Sequence, residues 1–363
     1  MLNRDFKRNI KIGYVPMLDC ASLIIARELG YFQKYDVSVV LSREAGWASV
    51  REKLINGELH ASHAPASMVF ELTCGLGVLK TPSLTGLVTA LNGNAITLSN
   101  ELWDLGVRDA RTLKKVIDKF RGKRIFTFAG VLNYSSQHYL MRDWLLSGGI
   151  DPERDVRMAI VPPPLVSSNL QKGYLDGYCV AEPWSTNCVQ NGRGWVACLT
   201  SDFSPYHIEK VFVVTEAFDS RQHEEHLAIL RALMDAADFC DKPENREQVA
   251  QILAQTQYLD LPIESLKETL VGPFNLGNGR TANADEAIIF SRNDAGRPTA
   301  GKASWVLEQI RRHKLDLSNP SLNSDLIASV YREDIYEEAI VGLSSGSQEN
   351  REQTESLALA DRT

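Results

Sequence analysis

Hydrophobic positions in the first part of the chain follow two alternating patterns. Residues 10–15 are rich in aliphatic and aromatic side chains and predict a strand. Apolar positions at helical spacing come next, so we expect a helix that Asp19 or Ser22 caps and Gly30 ends. Residues 37–41 are rich in β-branched side chains and predict a second strand. A strand, a loop that opens on a helix N-terminus and a parallel strand together form a geometry that binds small anions through free backbone N–H groups.

The alternation continues through most of the chain and forms two series. Strands and helices that follow one another in this way are typical of α/β proteins, whose mostly parallel sheets are flanked by helices. Because the two series share a layout, we expect two lobes, with residues 1–98 and 209–340 in lobe 1 and residues 99–208 in lobe 2. Residues 341–363 lack apolar periodicity and predict a flexible tail. Further strands are predicted at residues 59–62, 84–91, 95–98, 124–128, 156–161, 177–180 and 211–214, and further helices at 46–57, 64–75, 135–146, 165–173, 224–240 and 246–257.

Composition limits the possible functions. The 363 residues are 44% hydrophobic and 23% charged, which is ordinary for a soluble globular protein. No apolar run reaches the length of a membrane span, which excludes an integral membrane protein. The net charge of −7 argues against direct binding to nucleic acid, but a small anionic ligand stays possible because the field of a pocket is set locally. The six cysteines form no Cys-x-x-Cys pair, so we expect reduced, mostly buried thiols in a cytosolic protein.

The sequence contains none of the common catalytic motifs. It has no Gly-x-Ser-x-Gly, no phosphate-binding loop, no His-Glu-x-x-His and no dinucleotide-binding glycine pattern. The glycine-rich residues 272–279 lack a lysine and a following helix, so we expect a turn there. We therefore expect a binding protein rather than an enzyme, with no catalytic residues, no cofactor and no metal.

Two side chains near predicted strand ends are candidates for ligand contact. Trp47, at the start of a predicted helix, offers a flat face and an indole N–H donor, but a core position suits it equally. His63 lies at the carboxyl end of a short strand, where α/β sheets place ligands. A lone histidine is more often a structural residue with its hydrogen bonds satisfied, so the residues alone leave both alternatives open.

The predicted helix at 135–146 begins with a cluster of polar side chains. Ser135 can cap this helix and leave backbone N–H groups free for an anion. Gln137 and His138 lie in the first turn, where both side chains reach toward the same region. The pattern does not decide which of the two contacts a ligand.

A third group of candidates follows the predicted strand at 177–180. Glu182, Pro183 and Trp184 place a carboxylate and an aromatic ring at the expected cleft. Because a carboxylate repels an anion, Glu182 either orients a donor such as His63 or Lys210 or caps the following helix.

Several of these segments together resemble the solute-binding proteins of nitrate and bicarbonate ABC transporters. The resemblance spans roughly residues 10 to 310. It is carried by the opening segment at 11–35, by Leu-x-Arg-x-Trp-Leu and Gly-Gly-Ile-Asp-Pro within 140–152, by Val-Pro-Pro-Pro at 161–164 and by Tyr-Cys-Val-Ala-Glu-Pro-Trp at 178–184. It implies a two-lobed periplasmic-binding-protein-like (type II) fold that encloses a small anion.

The resemblance also implies roles for particular side chains. Trp47 lies in a motif similar to the family's Ser-Trp-Ala motif, which lines the anion pocket. His63 stands where the family has a ligand-contacting glutamine, and the family's ligand histidine aligns with Gln137, next to His138. Lys210 corresponds to a lysine whose ammonium neutralises the anion, and an enclosed monoanion needs such a cation or several N–H donors. We expect a dry crevice in which a single ammonium and a few dipoles compensate the anion.

Proteins of that family work outside the cytoplasmic membrane and begin with an export signal, whereas here the residues before the first strand contain no apolar segment. We therefore expect a cytoplasmic nitrate/nitrite sensor that controls an RNA-binding antitermination regulator of the NasT type, and through it nitrate assimilation, without contacting RNA itself. Nitrate would close the lobes and release this regulator. The alternative is the substrate-binding component of a nitrate or bicarbonate ABC transporter, and an enzyme of the thiamine-precursor type is a third class. The sequence does not rank nitrate, nitrite and bicarbonate.

Overall fold

Two mixed β-sheets and one hairpin contain the strands of the computed structural model, which describes residues 9–283, 285–313 and 322–343. In chain order the strands are β1 (Ile10–Tyr14), β2 (Val39–Arg43), β3 (Ala61–Pro65), β4 (Ser83–Asn92), β5 (Asn94–Ser99), β6 (Thr127–Gly130), β7 (Arg157–Ile160), β8 (Gly177–Ala181), β9 (Gly194–Leu199), β10 (Ile208–Thr215), β11 (Phe274–Gly277), β12 (Arg280–Ala282) and β13 (Ile288–Ile289).

Helices cover the faces and edges of both sheets. In chain order they are α1 (Ala21–Glu28), α2 (Tyr31–Lys34), α3 (Trp47–Ile55), α4 (Met68–Cys74), α5 (Asn100–Asp104), α6 (Ala110–Lys119), α7 (Ser136–Ser147), α8 (Val166–Gln171), α9 (Trp184–Gln190), α10 (Glu216–Arg221), α11 (His223–Asp241), α12 (Arg246–Leu253), α13 (Ile263–Leu270), α14 (Ala300–Arg312) and α15 (Asp325–Val330). None of these helices is long and apolar enough to cross a membrane.

The first sheet has the strand order β13-β4-β10-β3-β1-β2, and the second has β7-β6-β8-β5-β9. Strand β1 pairs in parallel with β2 and β3, whereas β10 runs antiparallel to β3 and β4. In the second sheet β6 is parallel to β7 and β8, and β5 is antiparallel to β8 and β9. The predicted α/β class is confirmed, but the sheets are mixed rather than mostly parallel. Strands β5 and β10 are buried on both faces along nearly their whole length, as parallel strands usually are, so their residue pattern gave no sign of their antiparallel direction.

The chain passes between the two sheets where β4 ends and β5 begins. Asn92 still pairs with β13 in the first sheet, and Asn94 pairs with Ala181 in the second. The crossing therefore falls at Gly93, ahead of the predicted lobe boundary at residue 98. The predicted tail at 341–363 lies outside the described residues from position 344 onward.

Helices α1 and α11 pack together against the first sheet and form its main core. Ile24, Phe212 and Leu230 are fully buried in this cluster. Burial of one such side chain contributes about 1.5–3 kcal/mol to the stability of the fold. This packed layer holds β1, β3 and β10 in place, and with them the loops at their ends. The glycine-rich segment forms the hairpin of β11 and β12, in agreement with the predicted turn. Five of the six cysteines are buried and Cys198 is half-buried.

Candidate functional site

A fully buried lysine lies at the contact between the two sheets. The Nζ atom of Lys210 is 2.7 Å from Oδ2 of Asp19 and also contacts Oε1 of Glu209. The same ammonium lies 5.5 Å from the ring centroid of Trp47, within reach of a cation–π interaction. Burial alone would lower the pKa of Lys210, but the two carboxylates outweigh burial and hold it above its ordinary value. The lysine is therefore charged and already paired.

A β-bulge explains why two consecutive residues of one strand face the same cluster. On β10, Ile208 pairs with Leu91 and Lys210 pairs with Ala90, so Glu209 is an extra residue opposite β4. In a regular strand, neighbouring side chains point to opposite faces. The bulge re-aims one of them, and the Glu209 carboxylate reaches the Lys210 ammonium.

Side chains from β5 and from the first turn of α7 also donate hydrogen bonds to the Glu209 carboxylate. Asn94 Nδ2 donates to Oε2 at 2.5 Å, and Ser136 Oγ donates to the same oxygen. Gln137 Nε2 donates to Oε1 and also to Asn94 Oδ1, at 2.9 Å. With Lys210, four donor side chains converge on one planar carboxylate, which links the two sheets through buried polar contacts.

Asp19 connects the lysine to a histidine of the first sheet. Its Oδ1 lies 3.2 Å from Nε2 of His63, and both side chains are buried. Burial raises the pKa of Asp19, but the positive charge of Lys210 and the contact with His63 lower it more strongly, so the pKa lies below the ordinary value. The Asp19 side chain accepts no cap hydrogen bond at the following helix, so the predicted capping role is wrong.

Trp47 and His63, both predicted to contact a ligand, border the same polar cluster. Their ring centroids are 5.9 Å apart. Trp47 Nε1 and His63 Nδ1 are buried, and neither has a hydrogen-bond partner among the residues that the structure describes. Two donor or acceptor atoms beside Lys210 are thus available to a ligand.

The first turn of α7 brings Gln137, rather than His138, to the cluster. Ser135 caps this helix, because its Oγ accepts from the His138 N–H at 3.3 Å. A Cβ on Gly130 would lie 3.2 Å from the His138 Cα, so this glycine allows the helix to approach the end of β6 closely. The His138 side chain lies instead near Arg142, and burial together with that charge lowers its pKa to about 3.

Glu182 caps a helix and does not orient a donor. Its Oε2 accepts from the Thr186 N–H at 3.0 Å, and burial raises the pKa of Glu182 to about 7. The structure gives it no contact with His63 or Lys210, so the predicted orienting role is wrong and the capping alternative is confirmed.

The segment around Pro183 links the two halves of the structure. Trp184 Nε1 donates to the Pro16 carbonyl at 3.0 Å, and the Leu18 N–H donates to the Glu182 carbonyl at 2.7 Å. These bonds tie the loop after β1 to the loop after β8.

Four members of the cluster were not among the predicted ligand-binding residues, namely Asp19, Asn94, Ser136 and Glu209. Asp19 was predicted as a helix cap, and Asn94 lies just before the strand predicted at 95–98. The return strand was predicted at 211–214, whereas β10 begins at Ile208, which places Glu209 inside it. The available signal was a Glu-Lys pair next to a run of strongly β-forming residues, since charged pairs are rarely buried without a role.

The sequence predicted that a single ammonium and a few dipoles compensate the charge of a bound anion. That prediction is wrong for the cluster around Lys210. Lys210 already faces two carboxylates, from Asp19 and Glu209. An added anion has to displace one of these carboxylates from the ammonium, because a third negative charge in the buried cluster would have no partner.

The chain matches a known family over most of its length. Residues 5–254 match the model of the NMT1-like family, and the chain therefore belongs to that family. It is 30% identical to the bicarbonate-binding protein CmpA of Synechococcus elongatus, over 92% of this chain and 78% of that protein. It is 32% identical to the nitrate import ATP-binding protein NrtC of Synechocystis, over 92% of this chain, and it spans only half of the length of that relative.

A solved structure supports the same relationship. The crystal structure of the periplasmic nitrate-binding protein NrtA from Synechocystis superposes with a TM-score of 0.88 at 28% identity, covering 92% of this chain and 89% of that one. The predicted periplasmic-binding-protein-like fold is thus confirmed, and the chain is a homologue of nitrate- and bicarbonate-binding solute-binding proteins.

Proposed function

We propose that this member of the NMT1-like family binds a small planar oxyanion of the nitrate, nitrite or bicarbonate class between its two sheets, as the substrate-binding component of an ABC transporter. One observation carries the proposal: four donor side chains converge on the planar carboxylate of Glu209. A carboxylate has the same flat arrangement of acceptor oxygens as these anions. Donors that satisfy one can satisfy the other.

Binding in this site requires an exchange of partners. The incoming anion takes donors such as Asn94, Gln137 and Lys210 from Glu209. Trp47 Nε1 and His63 Nδ1, which have no hydrogen-bond partner in the described part of the chain, add further contacts. Asp19 stays paired with Lys210 and His63. The charge on the ammonium is then shared between Asp19 and the ligand.

The relatives support both the ligand class and the transport role. NrtA and CmpA are described as nitrate- and bicarbonate-binding proteins, and NrtC as a nitrate import ATP-binding protein. These names favour the transporter component over the sensor that the sequence analysis expected.

Titration calorimetry tests the ligand class. We expect heat of binding with at least one of nitrate, nitrite and bicarbonate. Lys210→Met should lower the affinity at least about tenfold, because the substitution removes the ammonium of the cluster. Lys302→Met is a matched control, since Lys302 donates to backbone carbonyls near Ala295 outside the cluster. No binding of any of the three anions by the folded parent protein would refute the proposal.

The sensor role stays a prediction, as do the partner of the NasT type and the cytoplasmic location. A sensor of the NasS type would bind its regulator without nitrate and release it when nitrate is added. A transport component would instead associate with a permease and ATPase and stimulate ATP hydrolysis in their presence. Pull-down with each set of partners, with and without nitrate, distinguishes the two roles.

A further inference from the structure

A compact group of metal-ligating side chains lies at the corner between α10 and α11, apart from the oxyanion cluster. Asp219 is on α10, and His223 and His226 are on the first turn of α11. Oδ1 of Asp219 is 2.9 Å from Nδ1 of His223 and 2.7 Å from Nδ1 of His226. The three ligand atoms all lie within 4.8 Å of one another.

The helix geometry fixes this arrangement. His223 and His226 are three residues apart, so their side chains share one face of α11. Asp219 precedes them across the short break between the two helices and faces the same side. Two imidazoles and one carboxylate therefore converge without a long flexible loop.

A second carboxylate, that of Glu338, contacts the ring nitrogen of His223 that does not face Asp219. Oε2 of Glu338, near the end of the described chain, is 3.2 Å from Nε2 of His223. A metal-bound histidine commonly donates its other N–H to a carboxylate, which fixes the tautomer and orients the ring. His223 is placed in this way, with Nδ1 toward Asp219 and Nε2 toward Glu338.

Burial and access also suit a cation site. His226 is fully buried, Asp219 is 9% exposed, and the His223 side chain is 36% exposed, so an ion can enter past His223. A cavity of about 330 Å³ borders Asp219.

We propose that Asp219, His223 and His226 bind a divalent transition metal ion, of the zinc, nickel or cobalt type, through one carboxylate oxygen and two imidazole nitrogens. Imidazole and carboxylate ligands suit these ions, whereas magnesium and calcium prefer sites made only of oxygen. The ion replaces the hydrogen bonds that both imidazoles make to Asp219. Through Glu338 it would also connect the α10–α11 corner to the last described segment.

Metal titration of the full chain, first stripped with a chelator, tests the site. We expect one equivalent of Zn²⁺ or Ni²⁺ to bind and to raise the unfolding temperature. Co²⁺ should give a visible ligand-field spectrum typical of nitrogen and oxygen ligands.

Two variants and a control separate this site from any other. His223→Gln removes a ligand at a partly exposed position, and we expect the metal affinity to fall by at least about 100-fold. Glu338→Gln removes only the supporting carboxylate and should cost about 10- to 100-fold. His60→Gln is the matched control, because the Nδ1 of His60 accepts from the Lys11 backbone outside the cluster.

Two results would overturn the site. One is a parent protein that binds no Zn²⁺, Ni²⁺ or Co²⁺. The other is His223→Gln binding the metal as tightly as the parent. Neither result depends on whether the protein binds an oxyanion.

Discussion

Replacement of Glu209 by glutamine tests whether the Glu209 carboxylate competes with the ligand for its donors or only stabilises the contact between the two sheets. If Glu209 only helps to hold the two sheets together, Glu209→Gln should weaken oxyanion binding or leave it unchanged. If the carboxylate occupies the donors that the ligand needs, the same substitution should strengthen binding.

The structure gives the size of the expected effect. Glu209 accepts hydrogen bonds from Asn94, Ser136, Gln137 and the Lys210 ammonium. A hydrogen bond to a charged group contributes about 1.5–3 kcal/mol, against about 0.5–1.5 kcal/mol for a neutral pair, so each donor becomes easier to release by about 1 kcal/mol. Part of this gain is lost when the glutamine keeps some contacts. We therefore expect an affinity gain of about 10- to 100-fold, which corresponds to about 1.4–2.8 kcal/mol.

Calorimetric titration of parent and variant with nitrate, nitrite and bicarbonate measures the effect. Glu182→Gln is the matched control, because the Glu182 side chain is also buried but accepts from the Thr186 N–H of the following helix, and we expect unchanged oxyanion affinity for it. A folded Glu209→Gln protein that binds every one of these anions no better than the parent would refute the competition argument.

Three further predictions concern the stability of the protein and the contact between its two halves. Lys210→Met leaves the Asp19 and Glu209 carboxylates without the Lys210 cation, so it should lower the free energy of unfolding in urea by about 3–5 kcal/mol. An unchanged free energy of unfolding would show that the cluster is not a buried ion network. Because burial raises the pKa of Glu182 to about 7, the folded state binds its proton more tightly than the unfolded state, so stability should fall by up to about 3 kcal/mol as pH rises from about 4.5 to 7. Glu182→Gln should flatten that part of a urea-unfolding profile against pH, and an equally steep profile in the variant would exclude Glu182 as its source. Trp184→Phe removes the hydrogen bond to the loop after β1 and should weaken oxyanion binding by about 2- to 10-fold in calorimetry. An unchanged affinity would show that this bond between the two halves does not support ligand binding.

The sequence pattern predicted most strands and helices because their apolar periodicity is strong. The pattern also pointed to Trp47 and His63, because one begins a predicted helix and the other follows a predicted strand. The resemblance to nitrate- and bicarbonate-binding proteins added Gln137 and Lys210. The structure brings these four side chains to one buried cluster.

The rest depended on contacts that local sequence does not reveal. Asn94 meets Glu209 across more than a hundred positions, and the β-bulge that turns Glu209 toward Lys210 leaves no periodic signal. Strand direction was equally hidden, since β5 and β10 are buried on both faces, as parallel strands usually are. The site was therefore predicted as a place for an anion, without the carboxylates that already occupy its donors.

A crystal structure of the protein grown with nitrate, and another grown with bicarbonate, would test the central claim most directly. We expect a planar anion between the two sheets, bonded to Lys210 and Gln137, with the Glu209 carboxylate displaced. Glu209 still bound to all four donors, with no anion between the sheets in either crystal, would contradict the account.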